Sequence, residues 1–303
     1  MKSSAKENLR KLSTEQTNSA SKNFDCKSAL QIARIINAED AKVAAAVKRT
    51  LPQIAEAIDL IAASLGSGGR LIYVGAGTSG RIAALDAAEC PPTFNTDPKM
   101  VQFVMAGGEE ALAAAVEANE DSRELGERAI AQKRPRKFDV VVGIAASGRT
   151  PFTIAALEYA RKHGLKTVAV TCNPNSPLGR AAHIEIMAEV GPELVSGSTR
   201  MKAGTAQKMI LNMLSTGAMT RLGYVYGNLM VNVHIKNAKL KERGLSILEQ
   251  TAGVTRKEAE SALKAAKNEV PVALVMLKTG MSPAQASKAL ALTRGNVRAA
   301  IGR

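Results

Sequence analysis

The sequence contains no tryptophan, and aromatic residues fill only 3% of its 303 positions. Because 46% of the residues are nevertheless hydrophobic, the core has to be built mainly from Ala, Leu, Ile, Val and Met. Such a composition favours alternating helices and parallel strands over an aromatic-rich β sandwich.

Cysteine is also scarce, with three residues at Cys26, Cys90 and Cys172. An odd number of scattered cysteines provides no disulfide framework, which favours a reducing compartment. Neither the cysteines nor the three histidines have the spacing of a metal site, so no metal is predicted.

Long apolar runs are missing as well. No stretch of 18 apolar residues occurs, and the N-terminal segment lacks the apolar region of a secretory signal. We therefore expect a cytoplasmic protein without a membrane partner.

Basic residues exceed acidic ones by 41 to 27, which gives a net charge of +14. A charge of this sign is compatible with nucleic-acid binding. The basic residues are spread along helical stretches, however, and few aromatics are present to stack on bases. A solvated basic surface that attracts anionic metabolites explains the charge better, so no nucleic-acid partner is predicted.

Five short apolar runs have the pattern of β-strands, at residues 71–74, 101–105, 140–144, 167–171 and 184–186. Stretches of helical periodicity precede, separate or follow them, at residues 29–65, 80–89, 108–132, 151–163, 200–222 and 229–249. Alternation of this kind predicts an α/β fold in which a mostly parallel sheet is covered by helices on both faces.

The last fifty residues contain an internal repeat at an offset of 27 positions. Each copy opens with a capping box, formed by Thr255 with Glu258 and by Ser282 with Gln285. This pattern predicts a duplicated helical pair, which carries nine Lys or Arg against three Glu. We therefore divide the chain into three predicted parts: a polar, loosely ordered arm (1–25), an α/β domain (26–250) and a helical C-terminal module (251–303).

A strand-to-helix turn at residues 75–80 reads GAGTSG. Its glycines permit a tight turn that aims backbone N–H groups at an anion beside a helix N-terminus. The string also fits the dinucleotide pattern, but the acidic residue expected at the end of the second strand is absent, and Thr78 and Ser79 offer hydroxyls to phosphate oxygens. We predict a phosphosugar site at Gly77, Thr78 and Ser79, with a dinucleotide site or a structural turn as alternatives.

A second strand-to-helix turn, at residues 145–151, reads AASGRTP. Ser147 and Thr150 supply hydroxyls, and Gly148 allows close backbone approach. A well-capped turn would explain the segment by itself. Loops that follow the strands of one open parallel sheet converge, however, at the edge where ligands bind. We therefore predict that Ser147, Gly148, Arg149 and Thr150 contact the same phosphosugar.

A third polar segment, residues 191–205, brings hydroxyls and two cations, Arg200 and Lys202, to a helix start. Helix capping by Ser198 or Thr199 is one interpretation. The other is a loop that covers an anionic sugar, for which Ser198 is the candidate ligand.

Together the three loops are similar to a sugar isomerase domain, a flavodoxin-like three-layer fold that binds phosphosugars. Further strings resemble the N-acetylmuramic acid 6-phosphate etherases: LDAAECPPTF at 85–94, AGGE at 106–109, EANEDS at 117–122 and GTAQK at 204–208. The similarity covers nearly the whole chain, including the helical module.

The resemblance implies cleavage of the lactyl ether of N-acetylmuramic acid 6-phosphate by elimination and water addition, without a cofactor. The products would be N-acetylglucosamine 6-phosphate and D-lactate. This chemistry needs two carboxyl groups in different protonation states. By resemblance, Glu89 is the acid at C3 and Glu120 the base at C2; apart from the family, each would be interpreted as a surface charge. Cys90 is predicted to be a buried structural thiol.

In this fold, dimer partners often complete each other's sites, so the resemblance also implies a homodimer. It makes Lys239 and Arg243 candidates for contacting substrate across the interface, although a solvated helix face would explain them equally. Two other functions are compatible with the sequence. One is a sugar-phosphate-sensing regulator, and the other is an aldose–ketose isomerase, which needs no acid at C3.

Overall fold

The computed structural model describes residues 12–114, 119–233, 235 and 237–302. Its main sheet has five parallel strands, β1 (Leu71–Gly75), β2 (Val101–Met105), β3 (Val140–Ile144), β4 (Lys166–Thr171) and β5 (Ile184–Met187). All five predicted strands are confirmed.

The strand order is β2-β1-β3-β4-β5. This is the flavodoxin-like order, in which the chain leaves β1 in one direction and then β3 in the other. The point of reversal therefore lies between β1 and β3. Every residue of these two strands is buried, so the sheet is covered on both faces, as the α/β prediction requires.

Twelve α-helices occur among the described residues. They are α1 (Ala29–Lys48), α2 (Leu51–Gly66), α3 (Gly77–Phe94), α4 (Arg123–Gln132), α5 (Pro151–Lys162), α6 (Pro177–Ala181), α7 (Lys202–Leu222), α8 (Ala238–Ala252), α9 (Arg256–Ala265), α10 (Val270–Thr279), α11 (Pro283–Leu292) and α12 (Val297–Ile301). Within these ranges, no helix is long and apolar enough to cross a membrane.

Two helix predictions need correction. The stretch 108–132 is not one helix: a short 3-10 turn covers Glu109–Leu112, and α4 begins only at Arg123. The stretch 229–249 is not one helix either. Its first residues form β7 (Leu229–Met230), which pairs antiparallel with β6 (Val225–Tyr226), and α8 begins only at Ala238.

The structure divides into two compact units. The first comprises the described residues up to Ala88 together with Lys99–Ser215, and contains the parallel sheet. A core on one face of this sheet joins side chains such as Val74, Val141 and Leu157. The second unit comprises Glu89–Pro98 and the described residues from Thr216 onwards.

The second unit has its own apolar core, which includes Leu248, Leu263 and Leu274. Both predicted capping boxes are present, at the starts of α9 and α11. The unit is larger than the predicted module 251–303, because side chains of α8 also belong to this core.

The polar N-terminal segment is packed where the structure describes it. Residues 12–25 contain three short 3-10 turns, and Leu12 and Thr14 are buried. Both N and Oγ of Ser13 donate to Oδ1 of Asn173 at 2.9 Å. Residues 12–25 of the predicted arm thus make specific contacts with the first unit, and residues 1–11 lie outside the described part.

Candidate active site

The two glycine-containing turns emerge side by side at the reversal point of the sheet. The last residues of β1 and β3, Gly75 and Ile144, are register partners. The turns that follow them, residues 75–80 and 145–150, therefore start next to each other at the carboxyl edge. This is the position where open α/β sheets bind ligands.

The first turn opens α3 with backbone donors that the helix itself does not pair. Gly77 has φ +52°, a conformation that glycine adopts without steric cost. The amide of Gly80 donates to Ala76 O at 3.1 Å, so the preceding N–H groups lack acceptors within the helix. Thr78 is half-buried beside them, and the buried Ser79 donates to Gln207 Oε1 at 3.0 Å. The turn has the donors that an anion requires.

The second turn depends on Gly148, whose φ is +65°. A Cβ atom there would lie 2.3 Å from Cβ of Ser176, so no larger residue fits. Oγ of Ser147 accepts a hydrogen bond from Arg149 N at 3.2 Å, which leaves the hydroxyl hydrogen to donate elsewhere. Thr150 precedes α5 and makes no capping bond with its side chain.

Glu120 contacts the first turn and the start of α5. Its Oε1 lies 3.1 Å from the position that a Cβ atom on Gly77 would occupy. Its backbone oxygen accepts a hydrogen bond at 3.0 Å from Phe152 N, in the first turn of α5. The half-buried carboxylate therefore lies directly against the start of α3.

Two contacts fix the segments on either side of this carboxylate. A Cβ atom on Gly126 of α4 would lie 2.1 Å from Phe152 O, so glycine allows α4 to approach α5 closely. Arg81 of α3 donates to the carbonyl oxygens of Leu112 and Ala114 at 3.1 and 2.9 Å. The sequence pattern identified neither residue as part of the site.

A buried hydrogen-bond network holds α3 between β1 and α7. Oδ2 of Asp86 accepts from Tyr73 Oη at 2.8 Å, and Oδ1 accepts from Asn212 Nδ2 at 2.7 Å and Ser215 Oγ at 3.1 Å. Burial raises the pKa of Asp86, although these hydrogen bonds oppose it. The network fixes the part of α3 that lies in the first unit.

In the third polar segment, a carboxylate satisfies backbone donors at the start of α7. The carboxylate of Glu193 accepts the backbone N–H groups of Lys202 and Ala203 at 3.0 and 2.9 Å, and so satisfies donors at the start of α7. The Lys202 side chain is 2% exposed and donates to Glu39 Oε2 at 2.8 Å. Lys202 is therefore not a free cation for a sugar phosphate, and neither Ser198 nor Thr199 is needed to cap the helix.

The N-terminal segment forms hydrogen bonds with residues beside two parts of the candidate site. Nδ2 of Asn173 donates to Thr14 Oγ1 at 3.1 Å and to Ala146 O, in the second turn, at 3.0 Å. Ser196 Oγ donates to Glu15 O at 3.1 Å, two positions before the half-buried Ser198. Asn173 had no signal in the sequence beyond its position after a strand.

Three predicted residues belong to the second unit: Glu89, Lys239 and Arg243. All three are exposed. Lys239 and Arg243 lie one turn apart on α8, and Asn237 caps this helix by accepting from Leu240 N at 2.9 Å.

Two cysteines are buried. Cys90 is 2% exposed, in agreement with a structural thiol. Burial, together with the charge of Glu193, raises the pKa of Cys172 to about 12, so this thiol is protonated at neutral pH. Within the described ranges, no group of three or more His, Cys, Asp and Glu side chains could hold a metal ion.

Two family profiles match ranges that lie mostly in the first unit. The glucokinase regulatory protein N-terminal SIS domain matches residues 53–161, and the SIS domain matches residues 134–217. A candidate phosphosugar isomerase involved in capsule formation, from Bacteroides fragilis, has a similar structure with a TM-score of 0.50. It is 18% identical and the match covers 66% of this chain and 95% of that one. The likeness supports the sugar isomerase fold.

Sequence relatives match over almost the full length. The N-acetylmuramic acid 6-phosphate etherase of Vibrio vulnificus strain YJ016 is 50% identical over 293 residues, covering 97% of this chain and 98% of the relative. The protein of the same name from Salmonella agona is 49% identical over 294 residues, covering 97% and 99%.

Proposed function

Because the chain belongs to the N-acetylmuramic acid 6-phosphate etherase family, we propose that it converts this substrate to N-acetylglucosamine 6-phosphate and D-lactate. The observation that carries the proposal in the structure is the position of Glu120, whose carboxylate lies against the start of α3 at Gly77. This position supports the assignment of Glu120 as a base beside the proposed anion-binding donors.

The phosphate is assigned to the two turns at the sheet edge. The start of α3 supplies backbone N–H groups and a positive dipole end, and Thr78, Ser79, Ser147 and Thr150 supply hydroxyls. Gly77 and Gly148 let the backbone approach the anion, and Arg149 adds a positive charge next to the second turn. Ser198 is assigned to the sugar.

The reaction begins when the sugar opens to its aldehyde, because the C2 proton then lies α to a carbonyl group. Glu120 takes this proton, and the resulting enolate expels lactate from C3 while Glu89 protonates the departing ether oxygen. Water, activated by Glu89, adds to C3, and C2 regains a proton from Glu120. The net change is hydrolysis of the ether through carbon–oxygen elimination, which makes the enzyme a lyase.

The protein is proposed to act in the cytoplasm, in the recycling of peptidoglycan amino sugars, as a homodimer. Glu89, Lys239 and Arg243 are exposed in a single chain and are thus accessible to a second copy. The partner subunit would use Lys239 and Arg243 to bind the anionic substrate.

The direct test is lactate release from N-acetylmuramic acid 6-phosphate by the purified protein in ¹⁸O-labelled water. The label is expected at C3 of the sugar, with the original ether oxygen kept in lactate. Label in lactate would mean that the bond breaks on the lactyl side. Aldose–ketose conversion without lactate release would instead identify an isomerase.

A further inference from the structure

One amide atom of Gln207 forms a hydrogen bond with the first turn, whereas the other has no partner among the described residues. The side chain is 1% exposed, and its Oε1 accepts the hydrogen bond from Ser79 Oγ at 3.0 Å. Its Nε2 is buried and has no hydrogen-bond partner among the described residues. A buried amide donor without an acceptor is costly, so its presence needs a physical reason.

Gln207 lies where α7 passes the start of α3. One turn earlier on α7, a Cβ atom on Gly204 would lie 3.6 Å from Cγ2 of Thr78. This is an ordinary van der Waals distance, so Gly204 packs beside Thr78 at the point where the phosphate is assigned. The unpaired amide is therefore beside the anion site rather than in an unrelated part of the core.

Ser79 has a single hydroxyl hydrogen, and in the structure this hydrogen is directed to Gln207. A serine that binds phosphate must give that hydrogen to a phosphate oxygen. Ser147 has no such conflict, because its Oγ accepts the amide of Arg149. Rotation of the Gln207 amide by half a turn would remove the conflict at Ser79, since Nε2 would then donate to Ser79 Oγ.

We propose that Gln207 is a positioning residue of the phosphate site, whose amide reverses when the anion binds. In the reversed state Nε2 gains its missing acceptor, and the Ser79 hydrogen is released to the phosphate. The atom left unpaired is then a carbonyl-type oxygen, which is tolerated in protein interiors more readily than an unpaired N–H. This inference rests on the proposed function, because it takes Ser79 as a phosphate ligand.

Two substitutions separate the amide's donor role from its packing. Gln207→Glu keeps the shape and, once ionised, only accepts and holds the Ser79 hydrogen; because burial raises the pKa of such a carboxyl, binding is compared between about pH 7 and pH 9. KM for the phosphosugar and Kd for inorganic phosphate should rise about 10- to 100-fold, as in Ser79→Ala, with a much smaller fall in kcat. Gln207→Met frees that hydrogen without supplying a donor, so the rise should be clearly smaller.

The double variant Ser79→Ala, Gln207→Glu tests the coupling. If Gln207 acts through Ser79, the second substitution should add no more than about twofold to Kd for phosphate. A full additional loss would mean that the new charge repels phosphate directly. Equal losses in Gln207→Glu and Gln207→Met would mean that Gln207 contributes only packing. Either result overturns the inference. Normal phosphate binding by Gln207→Glu with a loss in Ser79→Ala overturns this inference alone. Normal binding by Ser79→Ala would also remove the first turn from the proposed site.

Discussion

Oε1 of Glu120 lies 3.1 Å from the point at which a Cβ atom on Gly77 would be located. Gly77→Ala should therefore displace the carboxylate and strain a backbone with φ +52°. Because a displacement of about 1 Å can cost 10²-fold in rate, we expect kcat/KM for lactate release to fall by about 10- to 100-fold.

Gly164→Ala is the matched control for this substitution. Gly164 has φ +76°, but a Cβ atom there meets nothing within 4 Å. Both variants should lose about 1–2 kcal/mol of unfolding free energy from the left-handed conformation. An equal loss of activity in the two variants would show that strain, rather than the contact with Glu120, is responsible.

We predict that Ser147, in the second turn, contacts the phosphate. Ser147→Ala removes a hydroxyl whose hydrogen is available to an anion, so phosphosugar binding should weaken by about 1.5–3 kcal/mol, measured as an increase in KM. Ser67→Ala, at an exposed hydroxyl after α2, should leave KM unchanged. If Ser147→Ala behaves like this control, the second turn does not bind the phosphate.

The buried ion pair between Glu39 and Lys202 predicts a dependence of stability on pH. Burial would raise the pKa of Glu39, but hydrogen bonds from Lys202, Lys42 and Asn18 lower it from 4.5 to about 2. The pair's contribution is fully present above pH 4.5 and is lost as the pH falls towards 2.

Glu39→Gln should therefore cost about 3–5 kcal/mol of unfolding free energy at pH 7, because it leaves the Lys202 charge buried and unpaired. Lys42→Ala removes the exposed partner of the same carboxylate and should cost less than about 1 kcal/mol. Denaturant titrations at several pH values measure both. A cost for Glu39→Gln that does not shrink towards pH 2 would contradict the assignment.

The proposed homodimer can be tested by mixing two variants with impaired activity. Glu120→Gln and Arg243→Ala chains, unfolded and refolded together, should regain activity, because the partner subunit is proposed to supply Arg243. One site of each mixed dimer then has both groups intact. No recovery, with mixed dimers shown to form, would contradict a contribution of Arg243 across the interface.

Features with local signals were predictable from the sequence. The strands follow from short apolar runs, and the caps at Thr255 and Ser282 follow from residues three positions apart. The hairpin at 225–230 also had a local signal, because Gly227 and Asn228 provide a two-residue turn. The helical periodicity of the flanking residues concealed it.

Contacts between distant residues were not predictable. Lys202 was noted only as a cation at a helix start, because its partner Glu39 lies 163 positions away and is fixed only by the packed fold. The contact of Glu120 with Gly77 likewise depends on how α4 approaches α5 at Gly126, which no pattern in a single sequence specifies. The resemblance to a family identified Glu120 as a candidate residue, and the fold determines where it lies.

The central claim is that Glu120 removes the C2 proton before Glu89 assists the departure of lactate. The most direct measurement is deuterium incorporation at C2 in heavy water, followed by NMR for the wild-type protein and both Glu→Gln variants. Wild-type product should carry deuterium at C2. Glu89→Gln should lose lactate release, by about 10²–10⁴-fold, yet still exchange C2 of the substrate, whereas Glu120→Gln should lose both. Product that retains its C2 proton would contradict the account, even if lactate were released.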